Sequence, residues 1–139
     1  MESARFVKAE DQLKTANPVS RSESLDITPL LGTWMNTNKE SRGITRVVLT
    51  SNGGMLMVRV FAGGDGSPTD WGEVEAEAVY AASINSKEAA AFTASYDLDS
   101  AESHLEANMS IGLLIVASLN RPKDRAGQSN HFSREFYHR

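Results

Sequence analysis

Leu31-Gly32-Thr33-Trp34-Met35-Asn36 decides the reading of this chain, because almost everything after it alternates. Period-two alternation with β-branched and aromatic content predicts strand one at 33–38, strand two at 44–50 and strand three at 55–61. Strand four is predicted at 71–81, five at 89–97, six at 103–110, seven at 113–120 and eight at 130–138. Strand four is the clearest, with Glu73, Glu75 and Glu77 on one side and Val74, Ala76, Ala78 and Tyr80 on the other. Strand five fits a helix equally well, since Glu88-Ala89-Ala90-Ala91 is a good helix former.

The connections carry the architecture. Longer loops are expected at 39–43, 62–70 and 121–129, with a moderate one at 98–102. Ser51-Asn52-Gly53-Gly54 and Ile111-Gly112 read instead as tight hairpins. In an up-and-down meander, odd connections share one end and even ones the other. The longer loops therefore dress one mouth, and the hairpins close the opposite floor. Eight strands closing on themselves would leave no exposed edge. Such a barrel holds one small ligand or is filled by its own side chains.

The N-terminal stretch 1–25 is polar, and Asn17-Pro18 interrupts any helix there. Phe6, Ala9 and Leu13 make a weak apolar stripe, so the reading is an arm, partly flexible or a short helix, ahead of a single barrel domain at 26–139. The 139 residues suit one domain and one core. Net charge is −4 and no run of three basic residues occurs, which argues against nucleic acid or an anionic membrane as partner. Cysteine is absent, so neither disulfides nor thiol chemistry arise. No apolar run reaches a membrane span, and Met1–Phe6 lacks the order of a signal peptide, so a cytoplasmic protein is expected.

Leu31-Gly32-Thr33-Trp34 ahead of an all-β meander resembles the Gly-x-Trp opening of the calycins, the lipocalin, fatty-acid-binding and avidin group. The resemblance covers roughly 27–139 and implies an eight-stranded antiparallel up-and-down barrel. It implies that Trp34 closes the floor and that a basic residue of the final strand, Arg134 or Arg139, packs across it. An Arg plane over an indole is worth about 0.5–2 kcal/mol. Gly32-Thr33-Trp34-Met35-Asn36 also looks like the avidin opening, which implies a ligand contact for Asn36. Met35 stands where avidins carry Tyr, and the chain holds only two Trp, which argues against biotin.

No hydrolase elbow, zinc-protease helix or phosphate loop is present. His104 lies on what reads as a wet face, and no metal or cofactor is expected. Arg59 is the most pointed charge. It is in phase with Met57, while Leu56, Val58 and Val60 take the other face, so both faces of strand three are apolar. Arg59 either enters the cavity to meet an anionic group, or lies outside with its stem over apolar surface. Trp71 and Tyr96 fall at the mouth, as aromatic bodies with a polar handle.

Three readings follow. In the first, the barrel binds a small, largely apolar molecule. Met57, Phe92, Leu105, Met109, Phe132 and Phe136 would line it, and Asn36, Arg59, Trp71 and Tyr96 would orient it. In the second, a metal-free cyclase or isomerase uses the same cavity. Arg59 would then stabilise negative charge, and Tyr96, His131 or Glu73 would move a proton. The third is a filled barrel that joins partners or copies of itself. The inward register of strands three and eight is open, and a one-residue slip exchanges every pocket residue for its neighbour.

Overall fold

The structure, a computed structural model, describes residues 25–63, 66–123 and 127–139. The expected arm lies outside these, apart from Leu25. Nine antiparallel strands form one curled sheet, half-barrel in form. They are β1 (Gly32–Asn36), β2 (Ile44–Asn52), β3 (Met55–Ala62), β4 (Thr69–Glu75), β5 (Ala78–Ala81), β6 (Ala89–Asp97), β7 (Ala101–Ser110), β8 (Leu113–Pro122) and β9 (His131–His138). Their order in the sheet is β4-β3-β2-β1-β9-β8-β7-β6-β5. The 89–97 segment is strand, its helix-forming alanines overridden by pairing on both sides. Among the described residues no helix is long and apolar enough to cross a membrane.

The expected count of eight strands is corrected to nine, because the expected strand four divides. Its first part pairs with β3 and its last part with β6. The change of partner falls on two residues. Ala76 N–H donates to Leu56 O of β3 at 2.9 Å, and Glu77 N–H donates to Thr93 O of β6 at 2.8 Å. The two edge strands of the sheet are thus consecutive in the chain.

The floor forms around Trp34. A single 3-10 turn, Thr28–Leu30, precedes β1 and buries Leu30. The Trp34 indole N–H donates to Leu30 O at 2.9 Å. Arg139 lies over the indole with its guanidinium carbon 4.3 Å from the ring centroid. Its Nη1 donates to Pro29 O and Leu31 O at 3.1 and 3.0 Å. Of the two basic residues expected at this place, Arg139 occupies it. Arg134 instead sits on the convex face near Phe136. Gly32 has φ +136°, and a Cβ there would lie 3.0 Å from Arg139 Cδ. The glycine of the Gly-x-Trp stretch is needed both for its backbone and for this close approach.

The phase of Trp34 spreads through the cross-strand pairs. Trp34 stands opposite Val47, and Val47 opposite Val60. Leu56, Val58 and Val60 therefore face the core, and Met57, Arg59 and Phe61 turn to the convex side. On the other flank, Asn36 stands opposite Tyr137. Tyr137 is then concave, with Phe132, Arg134 and Phe136 convex. The concave face is filled at the floor by Trp34, Leu49, Leu56, Val58, Phe92, Leu105, Leu114 and Tyr137. Each such burial contributes roughly 1.5–3 kcal/mol.

Arg139→Ala is expected to lower unfolding free energy by about 1–3 kcal/mol in urea titration, through loss of the stacking and the two carbonyl bonds. Gly32→Ala should cost less in the Arg139→Ala background than alone, because the Cδ contact has gone. Strictly additive costs would show that the close approach carries no energy.

Candidate ligand site

The open end of the sheet holds a cavity of about 580 Å³, bounded by the β1–β2 and β6–β7 connections and by residues of β2, β3, β4, β7, β8 and β9. This is the end at which the longer loops were expected. Its two walls differ. One is apolar, with Ile44, Ala62, Trp71, Leu98 and Ala101. The other carries Ser103, Ser118, Asn120, Ser133 and Glu135 from β7, β8 and β9.

Trp71 reaches the cavity through a bulge. Phe61 stands opposite Asp70 and Arg59 opposite Glu73, so Trp71 and Gly72 together face Val60. Gly72 takes φ +92°, and its N–H donates to Asp70 Oδ1 at 2.8 Å. The extra residue reverses the alternation. Trp71 points into the cavity while Glu73, two residues on, is exposed on the convex face. Trp71 meets Tyr96 edge-on, with ring centroids 5.3 Å apart at 65°.

The polar wall is a connected chain. Ser103 Oγ donates to Asn120 Oδ1 at 2.8 Å, and Asn120 Nδ2 donates to Ser118 Oγ at 3.0 Å. Ser118 Oγ and Ser133 Oγ lie 2.9 Å apart. One of these two hydroxyls donates to the other, so the second hydroxyl hydrogen of the pair remains to be offered outward. Beyond them, Glu135 Oε1 accepts from Ser41 Oγ at 2.8 Å and from Asn36 Nδ2 at 3.1 Å. The wall therefore presents hydroxyl and amide donors, a carboxylate and no apolar body. Opposite stands an indole.

The residues singled out from sequence fall into three groups. Trp71 and His131 line the cavity, with His131 at the rim. Tyr96 and Asn36 lie beneath it. Tyr96 hydroxyl contacts Val58 O and Gly72 O, both at 2.9 Å. Burial, and then the negative charge of Asp70, push its phenol above the ordinary value. Asn36 also donates to Ile44 O at 2.8 Å and accepts from Asn38 N–H at 2.7 Å, so it knits the β1–β2 connection. Phe92 and Leu105 belong to the packed floor and Met109 packs against its edge.

Arg59, Glu73, Met57, Phe132 and Phe136 stand apart, on the convex face. Arg59 pairs with Asp70 at 2.5 Å. That hydrogen bond holds the Asp70 carboxyl below its usual range and the guanidinium above its own. His104 is convex too, with Ser95 Oγ 2.9 Å from its Nδ1. Among the described residues no group of three His, Cys, Asp or Glu is placed to hold a metal ion.

Sequence reasoning passed over Ser103, Ser118, Asn120, Ser133 and Glu135. Their signal lies in the alternation itself: Leu114, Val116, Ser118, Asn120 along β8 turn from apolar to polar towards the mouth. No protein family, curated protein or solved structure matches the chain.

Tyr96 and Tyr137 make a pH prediction. Burial is the leading cause that raises both phenols above the model-compound value of 10.0. The folded protein then holds protons that the unfolded chain releases. Their stabilisation is complete below about pH 10 and is lost as pH rises above it. Urea midpoints of wild type should fall over that range, and Tyr96→Phe with Tyr137→Phe should flatten the fall. An unchanged slope would show that the two phenols do not set it.

Proposed function

We propose that the protein binds a small amphipathic molecule at the open end of a calycin-like barrel. The observation that carries the reading is the pairing of two unlike walls across one cavity. The Ser103–Asn120–Ser118–Ser133 chain faces the apolar side that holds Trp71. A flat apolar body lies against the indole, and a carbonyl or hydroxyl on its far edge accepts from the Ser118–Ser133 pair. Buried donors of this kind select a ligand that satisfies them, since an unpaired donor costs about 1–3 kcal/mol.

The calycin-like assignment rests on the floor. Gly32, Trp34 and Arg139 form the glycine, indole and stacked cation that the Gly-x-Trp resemblance implies. Part of the ligand description changes with the register. Arg59 is turned away and paired with Asp70, so it does not hold an anionic group of the ligand, and the ligand proposed is a neutral one. Of the groups considered for proton or charge transfer, only His131 lines the cavity, and Arg59, Tyr96 and Glu73 do not meet there. Binding, rather than cyclisation or isomerisation, is the function proposed.

A neutral naphthyl ketone dye, which has an apolar ring and one acceptor, should bind saturably at one site per chain and quench Trp71. Trp71→Ala and Asn120→Leu should each weaken it about tenfold, roughly 1.4 kcal/mol. Phe132→Ser on the convex face should leave it unchanged. The reverse pattern would place the dye on the convex face and remove this reading.

A further inference from the structure

We propose that the convex face of β8, with the flanking rows of β7 and β9, is the interface of a two-fold homodimer whose axis runs along β8. The convex sides of β8 and β9 expose Leu119 at 42%, Phe132 at 61% and Phe136 at 40%. They form adjacent rows. Leu119 stands opposite Phe132, and Ile115 opposite Phe136. Large apolar side chains gathered on one face mark an association surface more often than scattered ones do.

Charge chooses the occupant and the axis. Between the two apolar rows runs a third, Glu106–Ala117–Arg134, one residue from each of β7, β8 and β9. Glu106 and Arg134 are separated by two strand spacings, about 9–10 Å between backbones, and form no ion pair with each other. Among the described residues Arg134 makes no ion pair. The small side chain of Ala117 lies in a groove of about 460 Å³ that both charged residues also line. A surface with an acid and a base placed symmetrically about a central strand complements a second copy of itself.

Two face-to-face arrangements share a two-fold axis through Ala117. With the axis across the strands, Arg134 meets the partner's Arg134 and Glu106 the partner's Glu106, which is repulsive. With the axis along β8, β9 of one copy covers β7 of the other. Arg134 then meets the partner's Glu106 twice over, Leu119 meets the partner's Leu119, and Phe132 lies on the partner's His104. Only this axis satisfies the charges: it stacks Leu119 and Ile115 on their own copies and lays Phe132 and Phe136 on the partner's His104 and the partner's Asn108, and isologous pairing closes the assembly at two copies.

Sedimentation equilibrium of the full chain over a concentration series tests this. Wild type should fit a monomer–dimer equilibrium. Leu119→Asp and Phe132→Ser should each weaken association about tenfold or more. Arg134→Glu or Glu106→Arg alone should weaken it about tenfold, and the two together should restore it to within about threefold. These side chains are exposed or convex, and circular dichroism is the check that each variant folds. A wild type that stays monomeric, or a dimer indifferent to Leu119→Asp and Phe132→Ser, overturns the interface. Single reversals that weaken, with a double exchange that does not restore, overturn the axis.

Discussion

The contact between Arg139 and Trp34 is the constraint on which the other features rest. An indole at the end of a curled sheet has one face towards the core and one towards water. Covering the outer face with a guanidinium keeps the ring dry while the charge stays hydrated at its edge. The same guanidinium takes the carbonyls of Pro29 and Leu31, which would otherwise be exposed acceptors at the 3-10 turn. With Trp34 covered, the core packs upward from it. The cavity of about 580 Å³ lies at the other end, where the strand ends are polar.

Concave side chains grade along the strands. At the floor β8 offers Leu114 and Val116, and at the mouth Ser118 and Asn120; β7 runs from Ala107 and Leu105 to Ser103. The protein is thus filled over half its depth and open over the rest. Rigidity comes from the filled half. The hydroxyl chain above it is fixed by bonds to its own members rather than to solvent, so its donors are already oriented before anything enters.

The alternation made the strands legible, and so did the Asn52-Gly53 hairpin signal and the end at which the longer loops gather. What failed was parity. In β3 and β9 both faces carry apolar residues: Met57 and Phe61 against Val58 and Val60, Phe132 and Phe136 against Tyr137. Hydropathy cannot choose between such faces. The choice is made by neighbours, through the Trp34–Val47–Val60 row and the Asn36–Tyr137 pair. The bulge at Gly72 that turns Trp71 inward has no period-two signature. The division of the strand at Ala76 and Glu77 is likewise a matter of tertiary pairing: the polar alternation stops at Glu77, and Val79, opposite Phe92, takes the core side that Ala78 and Tyr80 were expected to share with Val74. The cavity wall was missed for a different reason. Serines on a strand read as solvated, and only the concave curvature makes them a lining.

The β1–β9 pairing has a consequence for biosynthesis. These strands are neighbours in the sheet, but the whole of β2 to β8 lies between them in the chain. A ribosome delivers Trp34 early and Arg139 about a hundred residues later, several seconds at ordinary elongation rates. Through that interval the hairpins from β2 to β8 have local partners, whereas β1 has only β2 and its indole has no cover. Non-local closure of this kind is slow. The nascent chain therefore leaves this buried indole uncovered until its last residues arrive, and a chaperone acting on this protein would find its first handhold at Trp34.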